Sequence, residues 1–227
     1  MATNAVRTIQ HQVYEIIKAN ISAGIYKPNQ RLQEIDIATE LNVSRSPVRE
    51  AFRELTAEGL LEAFPNKGVY VKEFSEQDFR EIFELRLVFE THAIRKLNES
   101  AMEALEPALD EAERRLRNAY KNRDTEAYAK ADGDFHKLLV EGCGNNLLIA
   151  NYRRTITMVR HSIHYALRAP DRFGGSEREH GEIFELLRQR RYKEAAQANG
   201  AHLINTCDAL IEQAFGKKSN LFEVCGK

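Results

Sequence analysis

The sequence is poor in residues that staple or break a chain. Its 227 residues include three cysteines, Cys143, Cys207 and Cys225, an odd and scattered set without a CxxC pair. Neither a disulfide framework nor a cysteine zinc cluster is expected, and they read as reduced thiols. Only five prolines and twelve glycines punctuate the chain, and the breaks fall at Pro28, Pro47, Pro65 to Gly68, Gly142 to Gly144 and Pro170 to Gly175. No apolar run approaches the roughly 20 residues that cross a bilayer, and the start MATNAVRTIQHQ lacks the apolar core of a signal peptide. A cytoplasmic protein with no membrane partner is therefore expected. An excess of either charge is also missing, since 33 Lys and Arg stand against 34 Asp and Glu. Any nucleic-acid binding must rest on a local cluster of cations.

What is present is helical. Hydrophobic residues at 43% and charged residues at 30% suit a folded protein, and the length allows two modest domains or one large one. Val6, Ile9, Val13, Ile16, Ile17 and Ile21 recur at spacings of three and four, which predicts a helix over 6–23 ended by Gly24. A second helix over about 33–41 places Ile35, Ala38 and Leu41 on one face, with Asn42 at its C-terminal cap. In the next segment Ser44 or Ser46 can cap a third helix, Pro47 suits its first turn, and Val48, Ala51, Phe52 and Leu55 form its buried stripe. Two helices joined by so short a turn make a helix-turn-helix. LLEAF and GVYVKEF, joined by Pro65-Asn66-Lys67-Gly68, then predict a β-hairpin wing.

From Ser75 onward no strand is expected, and about six helices are, over 76–97, 101–121, 125–141, 146–168, 177–190 and 193–215. Ser75 with Asp78 and Ser176 with Glu179 read as capping boxes that open two of them. The fold class is thus mainly α: residues 1–74 a winged helix-turn-helix of three helices plus a hairpin wing, residues 75–227 an all-helical bundle. The linker at 72–76 is short enough for the halves to communicate.

Arg45, Arg49 and Arg53 recur every four residues and so share one face of the third helix, opposite its apolar stripe. An arginine row on a helix that can enter the major groove suits phosphates and guanine edges. Arg31, before the second helix, and Lys67, at the wing tip, can reach backbone or minor groove. The plain alternative is a solvated face in which Arg49, Glu50, Arg53 and Glu54 pair among themselves. Residues 1–74 carry nine Lys and Arg against nine Asp and Glu. One copy should bind DNA weakly, so a homodimer on a palindromic site is expected.

The run from Ala23 to Val71, AGIYKPNQRLQEIDIATELNVSRSPVREAFRELTAEGLLEAFPNKGVYV, resembles the DNA-binding domain of the GntR family of bacterial regulators. That resemblance implies double-stranded operator DNA as partner, with contacts from Arg31, Arg45 and Arg49, from Ser44 and Ser46 beside them, and from Lys67 and Gly68 of the wing. Phe52 and Ile37 stand where leucine is usual, and neither touches the proposed DNA face.

Further along, Asp132 and His136 are four residues apart on one helix and project together, while His180 and His202 fall on two later helices. Three imidazoles and a carboxylate would give N3O ligation to a borderline divalent ion, zinc first, with nickel or manganese as alternatives. Taken singly, each is more often a packed or surface residue than a ligand. The pattern D-x-x-FH, then GN-x-L at Gly144 to Leu147, a later EH and a final AHL resembles the FadR-type C-terminal effector domain, the FCD domain. The resemblance implies that Asp132, His136, His180 and His202 are the metal ligands. It also implies that Arg86, of the ELR segment, faces a pocket for a small carboxylate effector. Arg86 lies amid Phe79, Ile82, Phe83, Leu85 and Phe89, and the plain alternative for it is a surface pair with Glu90. Arg160, His161 and His164 form another polar cluster. An enzyme that activates water at the metal and a sensor of the ion itself are the competing functions. No nucleophile elbow, phosphate loop or dinucleotide fingerprint favours the enzyme.

Overall fold

The computed structural model describes residues 8–159, 166, 167, 169 and 171–216. The chain divides into two compact units, Met1–Phe74 and Ser75–Lys227.

In the first unit, α1 (Ile9–Ser22) starts where the Thr8 side chain accepts from the His11 N–H, and it buries Val13, Tyr14, Ile17 and Ile21. Ile9 and Ile16, expected on that stripe, are exposed, and Val6 lies outside the described residues. Gly24 follows in the left-handed region at φ 66°, where a residue without Cβ is unstrained. α2 (Glu34–Glu40) buries Ile37 and Ala38, so the face predicted from Ile35 is turned: Ile35 is 56% exposed. Asn42, at φ 52°, makes the left-handed turn into α3 (Arg45–Ala57). Ser44 occupies the N-cap position of α3 without a side-chain capping bond, and Ser46 lies inside the first turn. Val48, Ala51, Phe52 and Leu55 are all buried, as their spacing requires.

Two strands, β2 (Leu61–Phe64) and β3 (Gly68–Val71), form the wing hairpin, with Asn66 at φ 61° in its turn and Gly68 at φ 107° opening β3. β3 also pairs on its other edge with β1 (Arg31–Leu32), Arg31 opposite Tyr70 and Leu32 opposite Val69, giving an antiparallel sheet in the order β1-β3-β2. A two-residue strand has no period to read, so its place comes from β3 alone.

The second unit holds six helices among the described residues: α4 (Glu76–Lys96), α5 (Glu99–Lys121), α6 (Thr125–Glu141), α7 (Asn146–Val159), α8 (Arg172–Arg188) and α9 (Tyr192–Phe215). Ser75 and Asp78 form the expected capping box at the start of α4. The box expected at Ser176 is absent. α8 begins at Arg172, four residues ahead of that serine, behind Asp171 in the left-handed region at φ 59°. Gly174 and Gly175, which read as a break, lie inside the helix, where Gly175 leaves room for the Arg172 guanidinium, 3.3 Å from where a Cβ would stand. Ser176 is consequently a buried helical residue.

α4 packs on α9, α7 and α6; α5 packs on α6 and α8; α8 packs on α9. The core between them is built from Ile94, Met102, Leu116, Tyr128, Phe135, Leu139, Ile183 and Leu187, all buried. Each such side chain contributes about 1.5–3 kcal/mol by leaving water. α6, α8 and α9 meet on this core, which fixes the direction of the polar side chains that they turn inward. No helix among the described residues is long and apolar enough to cross a membrane.

Candidate metal centre and DNA-reading face

α6 supplies Asp132 and His136 one helical turn apart, α8 supplies His180 and α9 supplies His202. All four are buried, and one donor atom from each lies within 4.8 Å of the others. Asp132 Oδ1 is the focus, 3.3 Å from His180 Nε2, 3.7 Å from His136 Nε2 and 3.8 Å from His202 Nε2. Donor atoms each about 2.0–2.2 Å from a shared ion lie roughly 3–4 Å from one another.

The other nitrogen of each ring faces an acceptor, and in two of the three it is hydrogen-bonded. His202 Nδ1 donates to Glu179 Oε2 at 2.7 Å, and His180 Nδ1 donates to the Ser176 carbonyl at 2.8 Å with the Tyr128 hydroxyl 3.0 Å away. Glu90 Oε2 stands 2.8 Å from His136 Nδ1, an ion-pair contact that falls short of an aligned hydrogen bond. With acceptors at Nδ1, the Nε2 lone pairs are the ones left to face inward. His136 Nε2 and His180 Nε2 are buried with no hydrogen-bond partner among the described residues. Buried nitrogens without partners are costly, and a cation shared with Asp132 would satisfy them. The residues fit a divalent ion.

Glu90 is itself tied down. Its Oε1 accepts from Arg86 Nε at 2.8 Å and from the Tyr152 hydroxyl at 3.2 Å, and its Oε2 accepts from Asn199 Nδ2 at 3.0 Å. The expected Arg86–Glu90 pair therefore exists, but it is buried rather than on the surface, with the two side chains 1% and 0% exposed. Arg86 sits on the inward face of α4, whereas Leu85, read as part of the same apolar stripe, is 47% exposed. Arg86 Nη2 is buried without a partner. Glu179 accepts from Arg172 Nη1 and Asn205 Nδ2, both at 2.8 Å. Arg172 and both glutamates escaped the sequence reading: Glu90 stood only in the surface alternative for Arg86, and Glu179 only in the supposed cap.

These neighbours set the charges. Burial raises Asp132, but His136 and His180 outweigh it and hold the carboxyl well below its usual range. Burial lowers His136, yet Glu90 and Asp132 on its two sides push it up to about 9. His202 goes the other way, down to about 3, because burial and the neighbouring His180 disfavour its charged form. Burial also works against the Glu179 carboxylate, but His202 and Arg172 bring it down to about 2. Arg160, His161 and His164 lie outside the described residues.

On the first unit, Arg45, Arg49 and Arg53 project from the exposed side of α3, their side chains 59%, 51% and 70% exposed. The supposed pairing along the helix holds only for Arg53, which donates to Glu50 at 2.8 Å. Arg45 and Arg49 instead reach Glu34 of α2. Lys67 stands in the wing turn, its carbonyl accepting from the Tyr70 hydroxyl at 3.3 Å. The Arg31 guanidinium lies across Gly68, where a Cβ would meet its Nε at 3.0 Å.

A winged helix-turn-helix joined to a bundle that turns an Asp and three His inward defines a class, a two-part DNA-binding regulator. Residues 9–71 match the model of bacterial regulatory proteins, gntR family, and residues 81–205 match the FCD domain. The chain belongs to the GntR family and carries an FCD domain; it is a transcription regulator and not an enzyme. It is 31% identical over 207 residues to the uncharacterized HTH-type transcriptional regulator YdhC of Bacillus subtilis, covering 88% of this chain and 89% of that protein. It is 27% identical to the HTH-type transcriptional repressor RspR of Escherichia coli, over 88% of each chain. Among solved structures it resembles a GntR regulator from Rhodococcus at TM-score 0.77 and 25% identity, over 89% of this chain and 97% of that one.

Proposed function

We propose that the protein is a ligand-responsive repressor that binds palindromic double-stranded operator DNA in the cytoplasm as a homodimer and is released by a small carboxylate effector. Arg31, Ser44, Arg45, Ser46, Arg49, Lys67 and Gly68 make the DNA contacts. Asp132, His136, His180 and His202 hold a divalent ion, zinc before nickel or manganese, since N3O donors suit all three. Such an ion supplies a Lewis-acidic anchor for an anionic oxygen at its remaining positions. Arg86, with Nε spent on Glu90 and Nη2 unspent, is the cation that orients the effector.

The observation that carries this reading is the convergence of three Nε2 atoms on one buried carboxylate, with His180 and His202 hydrogen-bonded from behind at Nδ1 and Glu90 beside that of His136. A packed histidine needs one satisfied nitrogen, not three rings sharing a focus. The repressor function of the relative from Escherichia coli supports the direction of control. Control then follows from a population shift: effector favours a state in which two winged units no longer match the half-site spacing, and couplings of about 1–3 kcal/mol suffice.

Operator binding followed by fluorescence anisotropy tests the DNA half. Arg45→Ala and Arg49→Ala should each weaken it, and wild-type affinity in both would end the assignment of these readers. Elemental analysis of purified His180→Ala tests the other half; full metal content would dismiss the ligand set. Operator affinity that tracks free metal with no organic acid present would identify the ion itself as the signal.

A further inference from the structure

The cations of the DNA-reading face are not equivalent. Among the described residues neither Arg31 nor Lys67 has a carboxylate partner, whereas Arg45 and Arg49 share one. Glu34, in the first turn of α2, accepts from Arg45 Nη2 at 3.1 Å and grips Arg49 with both oxygens, Nε at 2.9 Å and Nη2 at 2.8 Å. The acid is the sheltered member: its side chain is 23% exposed against 59% and 51% for the arginines. Arg53, one turn further along α3, ignores it and turns to Glu50.

An acid beneath a DNA-reading face weakens binding, because it repels the phosphates from which sequence-independent affinity comes. A place at the N-terminus of α2 favours some carboxylate there, but it does not explain a fork-to-fork grip on a different helix. The geometry has a more specific consequence. With the Nε–Nη2 edge of Arg49 held by Glu34, the Nη1–Nη2 end remains to meet two coplanar acceptors, the pattern that guanine presents in the major groove. Held in this way, the guanidinium is biased toward the base edges and away from the nearest phosphate.

We propose that Glu34 is the specificity-determining residue of the DNA-reading face, holding Arg45 and Arg49 in register for base edges and offsetting the affinity that any duplex offers through its phosphates. The free cations Arg31 and Lys67 serve the backbone, and the clamped ones serve the bases. The inference rests on Arg45 and Arg49 being the readers, as assigned above.

The test uses the full chain and a duplex that it enriches from a random-sequence pool, with a scrambled duplex of the same composition as reference. Affinity for both is measured by anisotropy from about 50 to 300 mM salt, because the electrostatic share is read from the salt slope. Glu34→Gln should lower the selected-to-scrambled affinity ratio about tenfold, weakening the first and strengthening the second. Glu50→Gln removes the same charge from α3 while leaving the clamp intact, and should change the ratio less than about twofold. If Glu34→Gln shifts both duplexes equally, or Glu50→Gln loses as much discrimination, the proposal is overturned and net charge is the whole effect. Arg49→Ala separates the two levels: discrimination equal to wild type in that variant would overturn the reader assignment beneath the proposal.

Discussion

His136 stands between two carboxylates, Glu90 2.8 Å from one ring nitrogen and Asp132 3.7 Å from the other, and without metal it keeps its proton up to about pH 9. In the metal-free protein the stabilisation from this charge is complete below pH 6.5 and is lost as pH rises through about 9. Metal needs the Nε2 that the proton blocks, so binding should tighten about tenfold per pH unit from 7 to 9 and then level off. Chelator competition across that range measures it, and a flat profile would contradict a protonated His136. The carboxylate behind His202 can be tested alone. Glu179 is partly exposed, so Glu179→Gln should fold, while loss of the negative charge behind Nδ1 should weaken zinc binding about 10–100-fold. Unchanged zinc affinity with an unchanged circular dichroism spectrum would leave Glu179 a merely structural residue.

Elements decide where these residues can act. The α6 pair was legible because a four-residue spacing on a helix is a geometric statement: Asp132 and His136 must project together. The start of α8 was not, since Gly174, Gly175 and Ser176 carry the local signals of a break and a cap. The neighbours of Arg172 outweigh those signals: Glu179 on the same helix and Thr206 on α9, each within hydrogen-bond distance of its guanidinium. In the wing the local signal and the outcome agree. Gly68, at φ 107°, has both a backbone angle that L side chains avoid and the Arg31 guanidinium above it. Gly68→Ala should cost about 1–2 kcal/mol by thermal denaturation and displace Arg31. A melting temperature equal to wild type would show that the turn relaxes without strain.

At the scale of the whole molecule the first unit carries as many acidic as basic residues, nine of each, and Glu34 occupies two of its best-placed cations. A single copy should therefore have little long-range attraction for DNA, and on the reading proposed above two copies on one palindrome would supply the affinity that one lacks. Native mass spectrometry with an enriched operator duplex should find two chains per duplex and no stable one-chain complex. A one-to-one complex of equal affinity would contradict that expectation. A divalent ion held by the four proposed ligands of the folded bundle, and not by the unfolded chain, should at a concentration 100 times its dissociation constant add about 2.7 kcal/mol to the stability of the second unit, read as a rise in melting temperature.

The linear pattern by itself determined which stretches are helices, which hairpin makes the wing, and which residue types stand four apart on α3 and α6. Periodicity and turn chemistry act over a few residues, and they are written along the chain. Only the tertiary structure decided what lies behind those residues. Arg86 and Glu90 went inside rather than outside, His180 and His202 came from α8 and α9 to meet α6, and Glu34 crossed from α2 to hold Arg45 and Arg49. The physical reason is that an ion pair or a ligand set is chosen by distance in space, and the packing of apolar faces sets that distance.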